Sequence, residues 1–307
     1  MFCDTIGVVK ILGLFVLTIP IGMVSIMRSL EVGRRDLYLA AVLIALGSGY
    51  IGRAIDIGTE KGFGAAALAG FGLTVVEIPA IAVAIDLLRR IDNHPPCPAG
   101  RWVAGLTVLL ALLPWTPLSW IGLSAFGALL VVRRRTGITA GAGAILVSLC
   151  SVVYWSHVTL DLVGEWVLLL DAMGTHLLVS ALDPSAVREG TLVARSTGHS
   201  LAIMAGCSSL NNIAIGSLVC LTLGRLRRPG VGRRDLTACL ETTVAIFALN
   251  VVRLSLMAIS PPAYELLHHG WGVELYHLTL ALAVLLVCYR RGLLVSLDPR
   301  RRRGAVA

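Results

Sequence analysis

Apolar runs about one bilayer thickness long, divided by clusters of arginine, dominate this sequence. A helix needs about 20 apolar residues to cross the hydrocarbon core of a membrane. Pro114 and Pro117 interrupt one overlong run and predict a tight reversal there. The predicted fold class is all-α, a polytopic integral membrane helical bundle with about nine transmembrane helices. The predicted spans are 6–27, 37–52, 63–88, 102–115, 116–132, 138–160, 201–224, 236–258 and 272–289.

The composition excludes the main classes of soluble protein. Only 14% of the residues are charged, against roughly 25% in a typical soluble domain. The mean hydropathy is +0.83. These values exclude a soluble enzyme, a disordered protein and a nucleic-acid-binding domain. We therefore expect the lipid bilayer as a partner of the chain and no nucleic acid.

The arginines predict the orientation, because loops rich in Lys and Arg stay in the cytoplasm. With nine spans, most of the 26 basic residues fall on one side of the membrane. The N-terminus is then outside, and the expected location is the cell inner membrane. The first four residues, 1–4, lack the basic region of a signal peptide, so we expect the first apolar run to be a retained helix.

Three regions are expected along the chain. Residues 1–160 hold the N-terminal transmembrane helices, 161–290 hold the candidate site, and 291–307 form a basic cytoplasmic tail. Residues 161–200 are the longest segment on the predicted outer side. Its first part, 163–182, is apolar enough to form an interfacial helix.

An arginine inside the eighth predicted span is the first candidate site residue. Placing an arginine at the centre of a membrane helix costs roughly 2.5–3.5 kcal/mol, so Arg253 is expected to have a function. The alternative is that its side chain reaches the outer interface. Asn250 lies three residues earlier on the same helix face, where it either supports Arg253 or joins two helices.

A cysteine near the outer end of the seventh predicted span is the second candidate. Cys207 lies about 9 Å into the span, close to the depth predicted for Arg253. Small and polar neighbours, including Ser208, allow close backbone approach, and a nearby cation favours a reactive thiolate. The alternative is an inert, buried cysteine. His268 and His269 follow in a short outer connection, so a thiol, a guanidinium and an imidazole share one side, the minimum set for covalent acyl transfer.

Two other hypotheses come from the remaining polar residues. His268, His269, Glu274 and His277 together could bind a metal, although the His-Glu-x-x-His signature is absent. Glu77 is predicted near the middle of a span, and intramembrane carboxylates often mark ion paths. Glu77 is therefore the main argument for a transporter.

Three short motifs, in order, resemble those of the exosortase/archaeosortase family of membrane cysteine transpeptidases. They are Cys207-Ser208, Asn250-Val-Val-Arg253 and His268-His-Gly-Trp-Gly272. The family has Cys-Ser-Gly, Asn-x-x-Arg and His-x-x-x-Gly at such positions, so Ser209 here stands where a glycine is expected. The resemblance covers roughly residues 160–290, which makes 161–290 an exosortase-like catalytic region.

The resemblance implies a membrane-embedded cysteine protease or transpeptidase that acts at the outer membrane face. Its substrates would be exported proteins ending in a short motif, one transmembrane helix and a basic cluster. Cys207 would form a thioester, His268 would be the acid/base, and Arg253 would stabilise the oxyanion or orient the substrate. Asn250 would hold Arg253, with Ser208 and His269 in supporting positions. No metal and no organic cofactor is implied. The alternative functions are a polytopic transporter or a non-catalytic subunit of an export assembly.

Overall fold

The computed structural model describes residues 33–68, 70–133, 137–195 and 198–294. This part of the chain is mostly helical and divides between Cys150 and Ser151 into two compact units. The predicted span 6–27 and most of the predicted basic tail, residues 295–307, lie outside the described residues.

The first unit is a bundle of helices that continues to Cys150. Helix α5 packs between α4 and α6, and α1 packs against α4 and α5. Leu123, Phe126 and Leu146 are fully buried in this bundle. Its helices are α1 (Arg34–Lys61), α2 (Phe63–Leu68), α3 (Glu77–Arg89), α4 (Pro98–Ala111), α5 (Thr116–Arg133) and α6 (Ile138–Cys150).

Two glycines let α5 and α6 approach closely. A Cβ atom added to Gly143 would overlap the carbonyl oxygen of Gly127. A Cβ atom on Gly127 would lie 3.0 Å from the carbonyl oxygen of Gly143. Small residues at helix interfaces are typical of membrane bundles, where close packing replaces the hydrophobic effect between helices.

The second unit combines long helices with a small sheet. After a π-helical turn (Ser151–Trp155), α7 has a kink at Val163, whose φ of −132° and ψ of 21° are not helical. The three strands form an antiparallel sheet in the order β1-β2-β3. The elements are α7 (Ser156–Ser180), β1 (Val187–Glu189), β2 (Leu192–Ala194), β3 (Ser200–Ala202), α8 (Leu210–Arg227), α9 (Arg233–Ile259), α10 (Pro261–His268) and α11 (Gly272–Arg290).

The described helices are those of a membrane protein. Six helical segments are long and apolar enough to cross a bilayer. Each contains or overlaps a predicted span, and the predicted reversal is confirmed because α4 ends at Ala111 and α5 begins at Thr116. The predicted number of nine is not confirmed, since the 14 residues of α4 fall short of the length needed. The six segments are Arg34–Lys61, Thr116–Arg133, Ile138–Ser180, Ala205–Arg227, Arg233–Ile259 and Gly272–Arg290.

The predicted span 63–88 is not a continuous helix, and Glu77 lies at the beginning of a helix and not in the middle of one. Gly70 and Gly72, with φ of 63° and 76°, end the helical path between α2 and α3. Glu77 is the first residue of α3. It exchanges hydrogen bonds with Thr74 at 3.1 and 3.4 Å, the reciprocal pattern of a capping box. Arg53 lies 3.6 Å from its carboxylate, so this buried charge has a structural partner.

The segment before Cys207 is only partly as predicted. Residues 164–180 are helical, as expected for the first part of this segment, and belong to α7 after its kink. The sheet of β1, β2 and β3 was not predicted, because strands of three residues are too short to show an alternating pattern.

Candidate active site

Cys207 closes a single 3-10 turn, Ala205–Cys207, between β3 and α8. Its backbone N–H donates a hydrogen bond to the carbonyl oxygen of Met204 at 2.8 Å. The side chain is 5% exposed and belongs to an apolar cluster that includes Leu254 and Met257 of α9. The turn thus holds the thiol against α9, at the beginning of an apolar helix.

The side chain of Asn250 joins this turn to two helices. Its Nδ2 atom donates to the carbonyl oxygen of Cys207 at 3.0 Å and to Oδ1 of Asp171 at 3.2 Å. Its Oδ1 atom accepts from the hydroxyl of Tyr276 at 3.1 Å. Asn250 is fully buried, so all of its polar atoms are paired where an unpaired one would be costly.

Asp171 is a site residue that the sequence analysis missed. It lies on α7, is fully buried, and accepts a second hydrogen bond at Oδ2 from the backbone N–H of Ser209 at 3.2 Å. Within the described ranges it has no ion-pair partner. Its carboxylate therefore supports Ser209 directly and the backbone of Cys207 through Asn250. A carboxylate within an apolar run was the signal available in the sequence.

Arg253 is held by α10 and by an aromatic ring. Its Nε and Nη2 atoms donate to the carbonyl oxygen of Leu267 at 3.2 and 2.9 Å. Its guanidinium carbon lies 4.6 Å from the centre of the Tyr276 ring, a cation–π contact. The predicted contact between Asn250 and Arg253 is indirect, since both touch Tyr276 and not each other. No carboxylate pairs with Arg253 in the described part of the chain, so its positive charge remains available to a ligand.

His268 comes directly after Leu267, whose carbonyl oxygen accepts the hydrogen bonds of Arg253. Its ring stacks on Tyr264 at 4.9 Å between centroids, and its buried Nδ1 atom has no hydrogen-bond partner among the described residues. Burial lowers the pKa of His268, and the positive charges of His269 and Arg253 lower the pKa further. Near neutral pH the imidazole is therefore uncharged and able to accept a proton. His269 is exposed, which favours His268 as the candidate acid/base.

Two positions in the motifs have a clear local explanation. A Cβ atom at Gly272 would lie 2.7 Å from the carbonyl oxygen of Leu266, so the turn from α10 into α11 requires glycine. Ser209, where the resemblance leads one to expect glycine, has φ of −68° and ψ of −21°. This right-handed helical conformation suits any L-residue, and serine is therefore tolerated there.

The structure brings Cys207, Asn250 and Arg253 into one connected set and places His268 next to the residue that anchors Arg253. The thiol of Cys207 makes no hydrogen bond to His268 or to any other residue in the described ranges. Ser208 accepts a hydrogen bond from the N–H of Leu210 at 3.2 Å, which stabilises the beginning of α8. The described residues contain no group of three or more His, Cys, Asp or Glu able to hold a metal.

Comparison with known proteins adds no further identification. No family model matches the chain, and neither the curated proteins nor the solved structures include a match.

Proposed function

We propose that this chain is a membrane-embedded cysteine protease or transpeptidase that cleaves the C-terminal sorting signal of exported proteins, as in the exosortase/archaeosortase family. The observation that carries the proposal is the position of Asn250, which lies on the same helix as Arg253 and whose side chain binds the backbone carbonyl of Cys207. Cys207 and Asn250 belong to two of the three motifs behind the resemblance, and these two motifs lie far apart in the sequence.

The first half of the reaction forms a thioester. Neutral His268 takes the proton of the Cys207 thiol, and the sulfur attacks the carbonyl carbon of the scissile peptide. The electron pair of the C=O bond moves to oxygen, where Arg253 stabilises the negative charge. When the tetrahedral intermediate collapses, the C–N bond breaks and the leaving amine takes the proton from His268. The substrate then remains bound to Cys207, and its C-terminal helix is released.

The second half decides between transfer and hydrolysis. An acceptor amine or a water molecule loses its proton to His268 and attacks the thioester carbonyl. The thiolate of Cys207 leaves and recovers a proton, which returns the enzyme to its starting state. An amine gives a new amide bond and a transpeptidase, whereas water gives a free carboxylate and a protease. Neither route uses a metal or an organic cofactor.

The distribution of arginines supports an inner-membrane location with the site at the outer face. In that orientation the exported part of the substrate would approach from outside. The substrate's own transmembrane helix would remain in the lipid bilayer until cleavage, and its basic cluster would stay on the cytoplasmic side. Together these features define a C-terminal sorting signal.

A transporter or a non-catalytic export subunit is the alternative. A transporter places essential polar groups near the middle of the membrane, often in both halves of the chain. Glu77, the main candidate for such a group, begins a helix and is paired with Thr74, Tyr50 and Arg53. These contacts give Glu77 a structural role, which weakens the argument for transport.

The test is co-expression of the protein with tagged exported proteins from the same genome that carry candidate C-terminal signals. Wild type, Cys207→Ala and Cys239→Ala are compared for release of the substrate's C-terminal helix. Cys239 is a half-buried thiol of α9 outside the site, so its variant controls for loss of a cysteine. We expect processing by wild type and Cys239→Ala only. Equal processing by Cys207→Ala would exclude the mechanism.

A second measurement tests the role of Arg253 in the same system. The thioester is trapped with hydroxylamine, and the rate of its formation is compared between wild type and Arg253→Gln. Loss of one donor to a developing oxyanion typically slows a reaction about 10²–10³-fold. A thioester that forms at the wild-type rate would remove Arg253 from the proposed mechanism.

A further inference from the structure

The strand β3 has an open edge that leads directly to Cys207. On its other edge, Ile203 N–H donates to the carbonyl of Thr191 at 3.1 Å, and Arg195 N–H donates to the carbonyl of His199 at 3.0 Å. Residues of an antiparallel pair alternate between those that bind the partner strand and those that face away from it. The backbone groups of Ser200 and Ala202 therefore point away from β2.

The residues that carry these outward groups lie at the surface. Ser200 and Ala202 are exposed, whereas Leu201 is buried in the same apolar cluster as Cys207. In the described part of the chain, no residue hydrogen-bonds to the outward N–H and C=O groups of Ser200 and Ala202. An exposed strand edge with unpaired groups is a ready template for another extended chain. One face of β3 is thus fixed to the protein core while its edge remains free.

The edge continues towards the proposed nucleophile. Met204 is extended, with φ of −110° and ψ of 171°, and the chain then turns through Ala205–Cys207. Met204, Ala205 and Gly206 are exposed. Cys207 follows Ala202 by five positions, so the path is on the order of 10–15 Å at the rises of strands and 3-10 turns. A peptide of four to five extended residues covers this distance.

A pocket adjoins the other end of the strand. It has a volume of about 470 Å³ and is lined by Gly198, His199, Ile259, Ser260 and Pro261. His199 immediately precedes β3, and its Nε2 atom lies 3.0 Å from the carbonyl oxygen of Met257 on α9. The strand edge would bind main-chain groups, and this pocket offers space for one side chain of the same peptide.

We propose that the substrate's recognition segment binds in an extended form as an additional strand on the free edge of β3, with its scissile bond at Cys207. This inference rests on the proposed function and assigns the substrate-binding surface of the same site. Main-chain hydrogen bonds to Ser200 and Ala202 would give affinity, and side chains of the peptide would give specificity. The occupant is thus an unfolded, extended stretch of polypeptide next to the substrate's transmembrane helix.

A proline at position 202 tests the edge directly. Ala202→Pro removes one outward N–H from an edge position where proline is sterically tolerated. Ala202→Val adds similar bulk and keeps the N–H, so it is the matched control. With a substrate that wild type processes in a Cys207-dependent manner, we expect processing by Ala202→Pro to be about tenfold lower than processing by Ala202→Val, as for one lost hydrogen bond of about 1.4 kcal/mol.

A proline scan of the substrate is an independent test, because it leaves the enzyme unchanged. Proline at positions whose N–H faces β3 should block processing, and proline at the intervening positions should not, which produces a period of two residues. Equal processing by the two Ala202 variants, or a scan without this period, would overturn the docking surface while leaving the catalytic proposal intact. If wild type processes no substrate in a Cys207-dependent manner, the proposed function fails and the docking surface fails with it.

Discussion

The side-chain amide of Asn250 donates a hydrogen bond to the backbone carbonyl of Cys207 at 3.0 Å, across 43 residues of sequence. The same amide binds Asp171 of α7 and Tyr276 of α11. One buried side chain therefore links three helices to the turn that carries the candidate nucleophile. Loss of these contacts can be measured both in the free energy of unfolding and in substrate processing.

Loss of the Asn250 amide should destabilise the second unit. In Asn250→Ala the groups of Asp171, Tyr276 and Cys207 lose their buried partner, and we expect a loss of about 2–4 kcal/mol in the free energy of unfolding. Thermal unfolding in detergent measures this change. Asn211→Ala is the control, because within the described ranges the side chain of Asn211 makes one hydrogen bond, of 3.4 Å, to Ser156. Similar losses in the two variants would contradict a central role for Asn250.

Replacement of Asp171 should displace the turn that carries Cys207 and so reduce processing of the substrate. Asp171→Asn keeps the shape of the side chain, but one of its two acceptor atoms becomes a donor that faces either Ser209 N–H or Asn250 Nδ2. We expect processing to fall roughly tenfold or more, with the protein still inserted in the membrane. Asp161→Asn changes an exposed carboxylate of the same helix and should have no effect. A fully active Asp171→Asn would show that this support is dispensable.

The pH dependence of thioester formation should identify the acid/base. Because burial and nearby positive charge lower the pKa of His268 below its ordinary value, the acid limb of the rate profile should lie below about pH 6.5. His269→Asn removes one of those charges, so the pKa of His268 rises and the limb moves to higher pH. Glu265→Gln removes a charge that raises this pKa, and the limb should move the opposite way. An inactive His269→Asn would instead identify His269 as the acid/base.

A methyl group at the contact of α5 and α6 should disrupt the first unit. In Gly143→Ala the new Cβ atom overlaps the carbonyl oxygen of Gly127, and overpacking of this kind costs about 1–3 kcal/mol. Gly105→Ala is the matched control, since no described residue outside that stretch of helix has an atom within 4 Å of a Cβ at this position. It should be neutral or stabilising by up to about 1 kcal/mol. Unfolding temperatures that fall equally in both variants would argue against the close contact.

Two native cysteines should report the packing of α8 against α11. The Sγ atoms of Cys220 and Cys288 lie 3.2 Å apart as free thiols. Copper phenanthroline should take two electrons from this pair, release two protons and join the helices by a disulfide. Counting alkylatable thiols after denaturation should show two fewer. Cys239→Ser should retain this loss and Cys288→Ser should abolish it, whereas an unchanged count in wild type would contradict the packing.

The sequence predicted best the helices whose bounds depend only on the apolar run that forms them. Thr116–Arg133 and Gly272–Arg290 match their apolar runs closely, because length and hydropathy alone define such helices. The run 63–88 was not a single helix, since glycines with positive φ interrupt it at Gly70 and Gly72. Composition averaged over a window does not register where a backbone must turn.

The sequence predicted individual residues of the candidate site but not the hydrogen bonds that join them. Cys207, Asn250 and Arg253 stood out as polar groups in apolar surroundings. Asp171 carries the same signal, but its partners and the role of Tyr276 did not follow from it, because hydrogen bonds between helices depend on which helices are neighbours, and the order of helices in the sequence does not determine this. The sheet before Cys207 was missed for a different reason: its strands have only three residues each.

The hydrogen bonds of Asn250 also define the orientation of its own amide and of the Tyr276 hydroxyl. Since Nδ2 faces two acceptors, Oδ1 must face Tyr276, and the phenolic hydrogen of Tyr276 must point towards Asn250. The lone pairs of that phenol are then turned away from Asn250. The amide can therefore adopt only one orientation. An isosteric change to aspartate would turn the contacts with Asp171 and with the carbonyl of Cys207 from attraction to repulsion. Asparagine is the residue of this size that satisfies all three neighbours in one orientation.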